Sequence, residues 1–335
     1  MIKEIALICL FLIFYTIINN YKQKICNFFN LIDHPDNKRK IHSKPTPLLG
    51  GLIIFFIILI NINNFYLYLP YKEFLILSFL ILIYFFLSAL DDIKSLNSYF
   101  RLIFLFSVTY LFLNNSDLFV IKKLVFQFNQ INYDLGIFAV FVSTLCILLL
   151  VNALNLSDGI NGLSTLLIIF WFVYIKFILF NDLSFLGVST IIFLIIVFHN
   201  IYKGMYFMGD YGVTVSALLI GMMSIASYNL QENNLTKIYV EELFLIFFIP
   251  GLDMLRLFIQ RLSKKKDPFS ADKDHLHHIL ISKFNLTKSL FIYFLISFTP
   301  IFLFKTFTLN SLILIIVYSI LYFIIINKKL RNIFN

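Results

Sequence analysis

Five stretches of the chain carry side chains that can do chemistry. In "SALDDIKSLN", Asp91 and Asp92 are adjacent carboxylates at the end of an apolar run. Such a pair repels and loses solvation at a membrane boundary, and a bound divalent cation relieves both penalties. In "VNALNLSDGINGLS", Asp158-Gly159 and Asn161-Gly162 spell a tight turn. Asn152 and Asn155 stand one helical turn apart and face the same place. In "YFMGDYGV", Asp210 lies between Gly209 and Gly212, so backbone can approach a ligand closely and the carboxylate can hold a metal. "PGLDMLRLFIQRLSKKKDPFSADKDHLHH" offers Arg256, Arg261 and Lys264 to Lys266 as phosphate donors. Asp253 and Arg256 are spaced to pair on a helix, and His275 and His278 share one face of an expected helix. Zinc at these histidines lacks the H-E-x-x-H spacing and any cysteine partner, so phosphate binding suits the basic setting better. Finally, "DHPDNKRKIHSKPTPLLGG" puts Lys38, Arg39, Lys40 and His42 beside Pro45, Pro47 and Gly50-Gly51. A basic loop attracts anionic head groups, and the prolines and glycines imply that this one also has a fixed shape.

Each stretch has a plainer reading as a helix cap, a turn or a solvated lysine face. Together they supply carboxylates, amides and phosphate donors at a membrane boundary. That set suits a Mg²⁺-dependent transfer between a soluble phosphate ester and a lipid phosphate.

The elements that must position these groups are membrane helices. The chain has 335 residues, 60% of them hydrophobic and 13% charged, against about 25% charged in a soluble domain. The expected fold is all-α, a single membrane-embedded domain over residues 1–335. Apolar runs predict eleven spans, at 4–19, 48–68, 73–90, 99–113, 135–152, 163–181, 184–199, 212–229, 240–258, 288–304 and 310–327. The segment 117–134 is amphipathic and too polar to span, which suggests a short hairpin or a surface helix. The first apolar run has no cleavage site after it and is taken as a retained helix.

Eleven spans divide the connections into two sets. One set holds 20 of the 27 Lys and Arg residues, which makes it cytoplasmic, with the N-terminus out and the C-terminus in. All six histidines lie on or beside the same set, at 34, 42, 199, 275, 277 and 278. The three cysteines form no C-x-x-C pair, so no zinc site or disulfide framework is indicated.

The motifs resemble, in order, those of the polyprenyl-phosphate N-acetylhexosamine-1-phosphate transferases: "DHPDNKRKIHSKPTPLLGG", "LDD", "NALNLSDGINGL", "MGDYG" and "PFSADKDHLHH". The resemblance runs from about residue 31 to 280 and includes the eleven-span plan. "PFSAD" and "HLHH" are more similar to the undecaprenyl-phosphate GlcNAc-1-phosphate transferase branch than to the branch that transfers phospho-muramoyl-pentapeptide. The resemblance implies a UDP-N-acetylhexosamine donor, undecaprenyl phosphate as acceptor, UMP as by-product and Mg²⁺, or Mn²⁺ in its place. It implies a bacterial cytoplasmic membrane enzyme acting on the cytoplasmic face, in contact with membrane lipids, with no nucleic-acid partner and with a homodimer as one arrangement. By the family pattern Asp210 would ligate the metal, and Asp91 and Asp92 would lie beside it and the lipid phosphate. Asn155 and Asp158 would line the nucleotide pocket, and His275, His277 and His278 would contact the donor's phosphates or shape that pocket. Two positions depart from the pattern: Asn161 stands where many members have Asp, and Val213 where many have Ser. The rival expectation is a transporter or flippase for phosphorylated substrates. It would place ionisable groups near the bilayer midplane, where only Lys176 lies.

Overall fold

The computed structural model describes residues 2–35, 44–61, 69–128, 131–179, 185–230, 238–270, 272–307 and 309–327. It is mostly helical, with two small two-stranded sheets. The helices are α1 (Ile2–Phe29), α2 (Gly50–Ile60), α3 (Tyr71–Lys94), α4 (Ser98–Leu113), α5 (Ala139–Ser157), α6 (Leu163–Val173), α7 (Phe185–Tyr202), α8 (Asp210–Asn229), α9 (Val240–Ser263), α10 (Leu276–Ile281), α11 (Leu286–Phe307) and α12 (Ser311–Ile326). α6 continues as a π-helical stretch, Tyr174–Leu179. Among the described residues, each of the eleven expected spans overlaps a helix. Five of these helices, in α1, α3, α5, α8 and α11, are long and apolar enough by themselves to cross a membrane.

α8 is the axle of the bundle. α3 and α5 pack along it most extensively, and α2, α6 and the π-helical stretch add further contacts. Its sequence explains its place. Gly212, Ser216, Ala217, Gly221, Ser224 and Ala226 present little bulk, so neighbouring backbones come close without an apolar driving force between helices. The hydroxyls this introduces are satisfied within the bundle. Ser216 donates to the Gly212 carbonyl and Ser224 to that of Ile220, both at 2.7 Å. Thr214 and Ser88 of α3 share a hydrogen bond of 2.7 Å.

Several helix ends differ from expectation: α2 closes at Ile60 rather than near 68, and α5 and α9 run five residues past 152 and 258. α1 does not stop near residue 19 but runs to Phe29, because no proline or glycine interrupts "NYKQKICNFF" until Asn30 turns left-handed at φ 54°. The segment 117–134 takes the hairpin form, with β3 (Lys123–Val125) antiparallel to β4 (Asn132–Asp134). The other sheet pairs β1 (Ile32–Asp33) with β2 (Thr46–Pro47), and Leu48 then bridges Phe207 just ahead of α8. Lys38, Arg39, Lys40 and His42 lie outside the described residues.

Candidate active site

The last turn of α3 carries Asp91 and Asp92, at the end of a helix where its dipole disfavours negative charge. The chain turns at Ser95 in a left-handed conformation, φ 47°, and Asn97 caps α4 by accepting from the backbone N–H groups of Tyr99 (2.9 Å) and Phe100 (3.3 Å). This tight connection places Arg101, one turn into α4, opposite the end of α3. Its Nη1 donates to Asp91 and, at 2.9 Å, to Oδ2 of Asp210. Asp91 also accepts from the Leu96 N–H at 2.6 Å.

Asp210 opens α8, where the helix dipole favours a carboxylate. The residue before it, Gly209, has φ 76°, and a side-chain carbon there would lie 3.0 Å from Oδ2 of Asp92. Glycine thus lets α8 start directly against the end of α3, and Asp92 accepts from the Tyr211 N–H at 3.3 Å. Asn155, from the last turn of α5, completes the group. With its amide turned to suit both neighbours, it donates to Asp210 Oδ1 (3.1 Å) and accepts from Arg101 Nη2 (3.3 Å). The side chain of Asp210 is 34% exposed, against 10% for Asp91 and 18% for Arg101, so Asp210 is the carboxylate with room for a ligand. From Arg101 a narrow slot, with room for about one water molecule, is lined by Leu102, Leu105, Asn152, Asn155 and Phe269 between α4, α5 and α8.

The turn from α5 to α6 adjoins this cluster. Asp158 accepts from the Ser164 hydroxyl. Burial pushes the Asp158 carboxyl up to about 7, with the Asp210 and Asp33 charges acting in the same direction and Ser164 against it. Gly159 is in contact with the histidine segment: a side-chain carbon there would land on Nε2 of His277. Asn161, at the other end of the turn, lies beside Gly204 in the loop leading to α8. Val213 is wholly buried in α8.

The histidines are arranged differently from expectation. α10 begins only at Leu276, so His275 precedes it in an extended conformation rather than sharing a helical face with His278. The His275 and His277 rings stack with centroids 5.3 Å apart, and His277 lies 4.3 Å from His278. Burial, then the charges of His278 and His275, hold the His277 pKa well below 6.5, so the ring is neutral near pH 7. His275 is turned toward Asp253, with Nδ1 3.0 Å from Oδ2. Arg256 pairs with Asp253 as its spacing suggests, at 3.1 Å. Its remaining N–H groups go to Tyr322 (2.7 Å), Gln260 (3.1 Å) and the Asp274 carbonyl (2.6 Å). Arg261 is likewise engaged, with Asp272 and the Pro268 carbonyl.

Asp91, Asp92, Asn155 and Asp210 therefore meet in one group, and Asn152 lines the slot beside it. Asp158 and His277 border the group through the 158–162 turn. Arg256 and His275 are committed to a network behind it. Arg101 was not among the expected site residues. Its only local signal is an arginine one turn after an asparagine cap, because the carboxylate it joins to Asp91 lies 109 residues further on. The donor set of three carboxylates and an amide is all oxygen, which fits a hard cation such as Mg²⁺ better than a softer metal.

Residues 74–228 match the model of glycosyl transferase family 4. This stretch contains Asp91, Asp92, Arg101, Asn155, Asp158 and Asp210. The undecaprenyl-phosphate alpha-N-acetylglucosaminyl 1-phosphate transferase of Escherichia coli (strain K12) is 28% identical over 284 residues, 82% of this chain and 75% of the relative. The protein of the same name from Yersinia pestis is 29% identical over 276 residues, 77% of this chain and 72% of the relative. A probable undecaprenyl-phosphate N-acetylglucosaminyl 1-phosphate transferase of Bacillus subtilis (strain 168) is 26% identical over 295 residues, covering 84% and 78%. The matched stretch and these relatives make the chain similar to glycosyl transferase family 4 over residues 74–228 and to undecaprenyl-phosphate N-acetylglucosaminyl 1-phosphate transferases over most of its length.

Proposed function

We propose that the protein transfers N-acetylhexosamine 1-phosphate, with GlcNAc as the first choice of sugar, from a UDP-sugar to undecaprenyl phosphate. The products are undecaprenyl-diphosphate-HexNAc and UMP. This would be the first membrane step of a cell-surface polysaccharide, such as an O-antigen, a capsule or a teichoic acid linkage. In this proposal the chain crosses the bacterial cytoplasmic membrane eleven times as one domain, with its site on the cytoplasmic face. The observation that carries the reading is the Arg101 guanidinium held between Asp91 and Asp210 and braced by Asn155. Acids more than a hundred residues apart in the sequence are gathered beside a cation, next to a narrow slot whose walls are partly apolar.

The chemistry follows from the groups present. A phosphate monoester has a second pKa near 6, so the lipid phosphate is mostly dianionic at neutral pH and needs little help from a base. Its oxygen attacks the sugar-linked phosphorus, and the bond to the UMP oxygen breaks. Asp210 and Asp92 would hold Mg²⁺, whose charge offsets that of the diphosphate when it is bound. Arg101 supplies fixed positive charge where negative charge spreads, at no reorganisation cost during the reaction. Asp91 orients Arg101, and Asn152 and Asn155 offer amide donors and acceptors to the substrate. Asp158, pushed up to about 7, holds a proton in about half the molecules near neutrality and can donate a hydrogen bond as well as accept one. A transporter would concentrate its charges at mid-membrane, whereas these acids lie at helix ends. The direct test uses purified protein, undecaprenyl phosphate, UDP-GlcNAc and Mg²⁺, scored for UMP. Metal-dependent UMP release is expected. Its absence across a panel of UDP-HexNAc donors would overturn the assignment.

A further inference from the structure

Asp253 is 4% exposed, yet four donors reach its carboxylate. Arg256 donates at 3.1 Å from the same helix, and the Tyr322 hydroxyl donates from α12. His275 Nδ1 lies at 3.0 Å, and the backbone N–H of Leu276 reaches both oxygens at 3.2 Å. An ionised carboxylate only accepts, so Nδ1 of His275 carries the proton and the ring's tautomer is fixed. The His275 ring then backs His277, and His277 abuts Gly159 in the 158–162 turn. A continuous line of contacts thus runs from the C-terminal helix to the turn that bears Asp158. The trio Asp253, His275 and His277 is close enough together to suggest a metal site. The Asp253 carboxylate is closed in by four donors and its side chain is 5% exposed, against 34% for Asp210, so it leaves no opening for a cation and its water ligands.

We propose that Asp253, with Tyr322 behind it, is a positioning residue that sets the His275 tautomer and ring plane and so seats His277 against the 158–162 turn. In this arrangement His275 is a strut and makes no contact with the donor's phosphates. Its effect on catalysis rests on the transferase reading above, but its effect on the turn does not. A polar group that orients a histidine through its Nδ1 proton has a catalytic effect without touching the reacting atoms.

The test compares His275→Ala, His275→Asn, Asp253→Asn and Tyr322→Phe in the full-length protein. Asparagine keeps a side-chain N–H near the position of Nδ1 and has nothing at the position of Nε2. His275→Ala and Asp253→Asn are expected to raise KM for UDP-GlcNAc about tenfold while KM for undecaprenyl phosphate stays within about twofold. Tyr322→Phe should have a smaller effect of the same kind, and His275→Asn should regain most of what alanine loses. If His275→Asn is as impaired as His275→Ala, Nε2 touches substrate and the proposal fails. It also fails if both KM values rise together, which marks general loosening. Hydrogen exchange of the backbone supplies the arm that needs no turnover. Asp253→Asn and His275→Ala should speed exchange at 157–163 as well as at 274–280, and His275→Asn should not. Unchanged exchange at 157–163 overturns the proposal even if wild-type protein releases UMP. Wild-type protein that releases none sinks the transferase reading and leaves the exchange result to decide this one.

Discussion

α3 carries carboxylates at both ends, and the two ends are treated in opposite ways. Glu73, in its first turn, is 4% exposed and saturated. It accepts from the Ser116 hydroxyl (2.6 Å) and from the N–H groups of Asp117 (2.9 Å) and Leu118 (3.4 Å). Asp91 and Asp92, about 27 Å along the same helix, face a third acid, Asp210, which shares the Arg101 guanidinium with Asp91. The pattern extends across the bundle. At the Glu73 end, Glu241 accepts through Oε1 from the Gln127 and Phe128 N–H groups at 2.8 and 3.3 Å, while its buried Oε2 has no hydrogen-bond partner among the described residues. Glu242 there receives the Tyr174 hydroxyl at 2.6 Å and the Lys305 ammonium at 2.8 Å. A buried acid closed off from solvent among donors of its own chain holds structure together. Acids crowded against one another, with one left a third open, keep coordination capacity for something else.

Four experiments can break or sharpen that contrast. The largest effect is expected from chelation: EDTA should abolish UMP release and Mg²⁺ restore it, while the thermal midpoint in detergent barely moves. Asp210→Asn should lower turnover about a hundredfold with little loss of stability, and an active, well-folded Asp210→Asn protein would dissolve the distinction. Arg101→Lys keeps the charge but loses the two-sided grip on Asp91 and Asp210, so about a tenfold loss of turnover is expected. At the other end, Glu242→Gln should do the reverse. It strands Lys305 and costs roughly 2 kcal/mol of stability, discounted because Lys305 is a third exposed, with activity per folded molecule retained.

A fifth effect is smaller and depends on pH. The Asp158 pKa is raised on folding, so the native protein holds a proton that the unfolded chain releases. Stability from this group is therefore present below about pH 4 and is lost as pH rises toward 7. Asp158→Asn should flatten the fall in thermal midpoint over that window in metal-free protein. A slope identical to wild type would mean that the turn is better hydrated than its burial suggests.

The helices were legible in the sequence because membrane spans need long apolar runs, and these ended close to where the helices end. α1 departed furthest, since its polar extension carries no apolar signal and still contains nothing that breaks a helix. Within the site, Asp91, Asp92, Asn155 and Asp210 were legible because acids and amides stand out against apolar flanks. Arg101 and Tyr322 were not. Each owes its role to a partner far along the chain, Asp210 for one and Asp253 for the other, and no local spacing announces such a pairing. The assignment of His275 to one face of a helix erred by a single residue. That residue matters, because outside α10 the ring is free to turn toward Asp253.

The small-residue surface of α8 has a consequence for change over time. A rod clasped tightly on several sides cannot shift without disturbing its neighbours, and this rod begins with Asp210. New substrate preferences are thus cheaper to acquire by altering the connections that surround the rod's polar tip than by substitutions along its length. Laboratory selection for altered donors should accumulate changes in 158–162, 203–208 and 264–275 and leave residues 212–227 almost untouched.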